Sequence, residues 1–160
     1  MGMGRIGARE TKEPTLMDRA LDQARAAAVA GEVPVGAVLV EAATGRILAL
    51  TRNRIEELKD PTAHAEILAI RAGSAALGSP RLAGCDLYVT LEPCPMCAAA
   101  IAFARLRRVY YGAGDPKGGA VDHGVRLFDQ PTCHHRPEVY GGIGETEAAG
   151  LLREFFRARR

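Results

Sequence analysis

Apolar residues recur near helical period at Leu16, Ala20, Ala24, Ala27 and Ala28, which predicts a helix over 16–30. Thr15 stands where an N-terminal cap belongs, and Gly31 where a helix stops. The period then changes. Residues 33–40, V-P-V-G-A-V-L-V, predict a strand; Pro34 suits its entry point, and Gly36 marks a place where another group comes close. Thr44-Gly45 makes a turn, and 46–51 returns as the second arm of a hairpin. The polar stretch 53–59 reads as loop. Asp60-Pro61-Thr62 carries capping chemistry for a helix over 63–77. A strand at 86–91 leads to a helix at 95–104 with Pro95 in its first turn, then to a strand at 108–112. Residues 114–129 are Gly-rich and irregular; a short strand at 138–140 and a helix at 145–158 end the chain.

Helices and strands alternate from the middle of the chain onward, which argues for an α/β domain with helices on both faces of one sheet. At 160 residues the chain suits one domain, expected over 15–160 behind a disordered tail, 1–14, rich in Gly and charge. Hydrophobic residues make up 48%, but aromatics only 5% and Trp is absent, so Ala, Leu, Val and Ile must fill the core. A net charge of +2 does not by itself imply nucleic-acid binding; its distribution says more, because Arg153, Arg157, Arg159 and Arg160 crowd the C-terminus. No stretch approaches the roughly 20 apolar residues of a membrane span. The first 13 residues lack the apolar core of a signal peptide. A cytoplasmic protein without a membrane partner is expected.

The candidate chemistry lies in two short segments. Residues 61–66, P-T-A-H-A-E, hold His64 and Glu66; residues 93–97, P-C-P-M-C, hold Cys94 and Cys97. Four cysteines, with Cys85 and Cys133, could form two disulfides, but a C-x-x-C pair beside a matching His motif favours metal. One imidazole and two thiolates form a three-ligand zinc set with a fourth tetrahedral position for water. Helix N-termini at both segments would favour thiolate and offset negative charge. Glu66, two positions after His64, does not share its helical face. That spacing suits a carboxylate beside the metal moving protons, a role worth ~10²–10⁴-fold in rate. A closed structural site would instead need a fourth ligand from His123, His134, His135, Cys85 or Cys133. The unpatterned surroundings favour core or loop thiols for Cys85 and Cys133, and surface or loop positions for the three histidines.

H-x-E followed by P-C-x-x-C is the signature of the zinc nucleobase deaminases. From about Leu16 to Arg160 the chain resembles the bacterial tRNA-specific adenosine deaminases, which convert the wobble adenosine of an anticodon to inosine. The resemblance rests on V-P-V-G-A-V at 33–38, N-R at 53–54, D-P-T-A-H-A-E-I at 60–67, L-Y-V-T-L-E-P-C-P-M-C at 87–97, G-A-G-D-P-K-G-G-A at 112–120 and F-F-R-A-R-R at 155–160. Residues 120–137 depart from the best-known members. The resemblance implies a three-layer α/β/α cytidine-deaminase-like fold with a central five-stranded mixed sheet, and a homodimer. It implies Zn²⁺ on His64, Cys94 and Cys97, with Glu66 as proton shuttle. It implies Asn53 near the flipped nucleotide, Val35 and Leu91 lining the base pocket, and Asp115 and Lys117 facing the tRNA anticodon stem-loop. Two rivals stand beside it: a deaminase of a free base or nucleoside such as guanine or cytosine, which shares the metal chemistry, and a non-enzymatic zinc-stapled binding module, which would not need Glu66.

Overall fold

The computed structural model describes residues 13–160; residues 1–12 of the expected tail lie outside them. Helix α1 (Leu16–Val29) begins with reciprocal capping: Thr15 Oγ1 accepts from the Asp18 amide at 3.1 Å, and Asp18 returns a carboxylate oxygen to the Thr15 amide at 2.9 Å. The hairpin β1 (Gly36–Glu41) and β2 (Ile47–Arg52) follows. Strand β1 begins three residues later than the apolar run. Pro34 has no N–H to give a ladder, and Val35 turns its amide back to the Val33 carbonyl at 2.8 Å. Gly36 marks the close approach that its position suggested. A Cβ there would lie 2.6 Å from the Ala24 amide nitrogen and closer still to the Ala20 carbonyl, both backbone atoms of α1.

The polar stretch expected to be loop contains a short helix, α2 (Ile55–Leu58). Its cause is distant in sequence. The buried carboxylate of Glu32 accepts the amides of Glu56 and Glu57 at 2.9 and 3.0 Å and so caps a helix that local pattern does not announce. Helix α3 (Ala65–Leu77) runs through Gly73, where any Cβ would strike the Leu39 side chain. Strand β3 (Cys85–Leu91), helix α4 (Pro95–Ala104), strand β4 (Arg108–Ala113), strand β5 (Glu138–Tyr140) and helix α5 (Glu145–Arg157) complete the chain. The Gly-rich segment between β4 and β5 holds one 3₁₀ turn, Leu127–Asp129.

The five strands form one mixed sheet in the order β2-β1-β3-β4-β5. Strand β1 pairs antiparallel with β2 and β3, while β3, β4 and β5 run parallel. One face, with Leu39, Leu87, Val89 and Val109, packs on Ala65 and Ala69 of α3 and Ala98 and Ile101 of α4. The other, with Val38, packs on Met17, Ala20 and Leu21 of α1 and Ala148 of α5. This is the expected three-layer α/β/α architecture. Tyr88, Tyr110 and Tyr140, one from each parallel strand, stack in a column with ring centroids 4.4 and 5.1 Å apart. No helix among the described residues is long and apolar enough to cross a membrane.

Candidate metal centre and active site

Helices α3 and α4 start side by side at the carboxyl end of β3, where open α/β sheets place their ligands. His64 is the N-cap residue of α3 and Cys94 that of α4, both in extended conformation. An N-cap side chain ordinarily bonds its own helix amides. Neither of these does, and both turn towards the site instead. Asn53 takes over part of the missing duty: its Oδ1 accepts the Ala65 amide at 2.9 Å. Cys97 follows one turn into α4, behind Pro95.

His64 Nδ1 lies 3.6 Å from Cys94 Sγ and 3.5 Å from Cys97 Sγ. All three ligand atoms fall within 4.8 Å of one another. A tetrahedral zinc with ordinary Zn–S and Zn–N bonds spaces its sulfur and nitrogen ligands about 3.6 Å apart. The donor set therefore fits zinc in chemistry and in size. The Cys94 thiol is drawn down to about 4, first by its hydrogen bond with Cys97 and then by His64. Cys97 is pushed the other way, by sharing a proton with Cys94 and by burial. His64 is raised, chiefly by Cys94.

Glu66, in the first turn of α3, is 4% exposed. Burial pushes its carboxyl up to about 7, against partial relief from a backbone hydrogen bond and from His64. It borders a cleft of about 230 Å³ together with His64 and Cys94. Val35, Leu91, Asn53 and Asp115 line the same cleft, whereas Lys117 stands outside it on the exposed loop tip. Asn53 also donates from Nδ2 to the Val33 carbonyl at 3.3 Å, so each end of its amide already makes one internal bond. Asp115 Oδ1 accepts the amides of Lys117 and Gly118 at 3.2 and 2.9 Å, a local turn that orients the carboxylate.

The residues weighed as a fourth ligand lie elsewhere. Cys85 is buried at the start of β3. Cys133 donates to the His135 carbonyl, and His135 Nε2 meets the Leu106 carbonyl at 2.6 Å. His134 is exposed. His123 is a half-buried loop residue, and its Nδ1 sits 2.6 Å from Glu92 Oε1. The four cysteines form no disulfide.

Glu92 is the site-adjacent residue that pattern reading missed. Its carboxylate is buried next to the metal-ligand segment, yet its pKa lies below the usual range. Burial acts to raise it, and bonds from Asp115, His123 and Val121 outweigh that effect. The available signal was a carboxylate placed between an apolar strand and a proline, a position where a charge needs partners.

Residues 10–113 match the family model for the cytidine and deoxycytidylate deaminase zinc-binding region. A tRNA-specific adenosine deaminase of Agrobacterium fabrum is 62% identical over 144 residues, covering 90% of this chain and 93% of the relative. The chain belongs to the tRNA-specific adenosine deaminases. A solved structure from a study of A-to-I editing by tRNA:A34 deaminases at the wobble position superposes with a TM-score of 0.83 and 62% identity, over 86% of this chain and 98% of that one. The fold reaches further: guanine deaminase from Bacillus subtilis is 32% identical with a TM-score of 0.62, over 92% of this chain and 95% of that one. The fold is thus shared with a deaminase whose name specifies a free base as well as with tRNA-acting ones.

Proposed function

We propose that this chain hydrolytically deaminates adenosine to inosine at the wobble position of a tRNA anticodon. The observation that carries the reading is a metal triad beside a buried carboxyl, in a chain 62% identical to a tRNA-specific adenosine deaminase over nearly its whole length. His64, Cys94 and Cys97 hold zinc. When bound, zinc supplies Lewis acidity that brings the pKa of a bound water down towards about 7. Glu66 handles the protons: it takes one from the attacking water and gives it to the purine ring nitrogen, then takes the second from the new hydroxyl and passes it to the amine, which leaves as ammonia when the carbon–nitrogen bond breaks. Water oxygen ends on the purine and nitrogen departs, so no oxidant is needed.

Val35 and Leu91 provide apolar walls for the base. Asn53 keeps unused amide capacity at both ends after its two internal bonds and offers it to the nucleotide. Asp115 accepts from a ribose 2′-hydroxyl, the group that separates RNA from DNA. Lys117 reaches backbone phosphate. A base in an anticodon loop is also cheaper to flip than one in a duplex.

The functional unit in this reading is a cytoplasmic homodimer. Helix α4 is apolar all round, and its outer face carries Phe103 at 80% exposure beside Ala99, Ala102 and Val125, the last at 54%. A groove of about 290 Å³ runs along this face. An apolar helix left half uncovered is supported best by a second copy.

The test uses matched RNA and DNA anticodon hairpins and free guanine. Inosine should form in the RNA hairpin, with little in the DNA version. Rapid ammonia release from guanine, with no inosine in RNA, would move the chain to the free-base branch.

A further inference from the structure

Glu92 is 2% exposed, and its carboxylate pairs with no lysine or arginine among the described residues. Five donors converge on it instead. Oε1 accepts the Asp115 amide at 2.9 Å and meets His123 Nδ1 at 2.6 Å. Oε2 accepts the amides of Val121, Asp122 and His123, each at 3.1 Å. Four backbone amides from a nine-residue stretch, 115–123, are thus wrapped round one buried charge. A segment with little regular structure of its own is given a fixed shape by an anion at its centre.

The wrapping is close. A Cβ on Gly119 would lie 2.5 Å from Glu92 Cδ and 2.6 Å from the Asp115 carbonyl, so this position has room only for glycine. The Ala120 amide adds a bond to the Pro93 carbonyl at 2.9 Å. Pro93 links Glu92 to Cys94 in sequence. One tripeptide therefore holds a metal ligand at one end and the shape of the 115–123 loop at the other.

We infer that Glu92 is a positioning residue for RNA: it seats the 115–123 loop and, through the Asp115 amide, sets where the Asp115 carboxylate meets the ribose. Glu92 borders the cleft as well, but both of its carboxylate oxygens are turned to the loop and bonded there. The inference rests on the proposed role of Asp115 at the RNA. Its signature is a defect in substrate binding and sugar discrimination, with the bond-breaking step spared.

The experiment compares wild type, Glu92→Gln and Gly119→Ala, all zinc-loaded. Steady-state kinetics are measured on matched RNA and DNA anticodon hairpins, with zinc content measured alongside. Glu92→Gln keeps the shape but replaces an acceptor with an amide donor facing other donors. Gly119→Ala keeps the charge and forces the loop off it. In both, KM for the RNA hairpin should rise about tenfold or more, as expected for loss of hydrogen bonds to a charged group. In both, kcat should stay within about twofold, zinc should remain at one per chain, and the RNA-over-DNA preference should shrink. If Glu92→Gln does not fold, Gly119→Ala alone carries the test. A fall in kcat at unchanged KM, loss of zinc from the variants, or an unchanged RNA-over-DNA ratio overturns the inference and leaves the proposed function standing. Absence of inosine from the wild type on the RNA hairpin removes both.

Discussion

At the residue scale, the metal site was the most legible part of the chain because its spacing is its chemistry. His64, Cys94 and Cys97 announce themselves as a local pair and a distant partner, and the two helix starts bring the His64 ring to 3.5–3.6 Å from both sulfurs. Replacing Cys97 with serine should reduce zinc well below one per chain by elemental analysis, and should lower the melting temperature, since the metal joins the starts of α3 and α4. Glu66→Gln should retain its zinc and its fold and lose about 10²–10⁴-fold in turnover. Loss of metal from that variant would instead make Glu66 part of the metal scaffold. The buried carboxylates of Glu92 and Glu32 were not legible. Apart from the His123 ring, their partners are backbone amides 23–31 and 24–25 residues away, and an amide carries no residue type for a pattern to show.

At the element scale, propensity and period placed nearly every helix and strand, and the differences have physical causes. Strand β1 starts late because Pro34 withholds a donor. Helix α2 exists because Glu32 reaches across to cap it. Helix α4 matched its expected bounds, Pro95–Ala104, because its proline start and its apolar run agree. Its all-round apolar character was equally visible in P-M-C-A-A-A-I-A-F-A and signals that a single sheet face does not use it up. Gly36 gives the sharpest test of packing. Gly36→Ala would press a methyl into the α1 backbone. Calorimetry should show a stability lower by about 3 kcal/mol, or roughly a 10 °C drop in melting temperature.

At the scale of the whole molecule, two surfaces look outward. Phe103→Glu on α4 should convert the proposed dimer to monomer in sedimentation, because a carboxylate cannot be buried there without a partner. A dimer that survives the change would place the homodimer interface elsewhere. The other surface is the end of α5. Arg157 and Arg160 border a shallow depression with Arg153 and Phe156, while Arg159 lies over the Phe155 ring at 3.4 Å and donates to its carbonyl. Removal of Arg157, Arg159 and Arg160 should raise KM for RNA. It should also flatten the salt dependence, by about 0.7 in log–log slope for each phosphate no longer neutralised. Zinc should stay bound. An unchanged salt slope would leave these arginines to helix-end electrostatics alone.

The stacked tyrosines have a practical outcome in the optics of the protein. Tryptophan is absent, so four tyrosines dominate its intrinsic emission over the weak contribution of four phenylalanines. Three of them, Tyr88, Tyr110 and Tyr140, are locked in one column across β3, β4 and β5. The fourth, Tyr111, donates its hydroxyl to Asp122, inside the loop that encircles Glu92. A phenol held against a carboxylate emits weakly, and one released into water brightens. Ultraviolet emission is therefore divided between two reporters in one chain: the column records the integrity of the parallel half of the sheet, and Tyr111 records whether the 115–123 loop is seated.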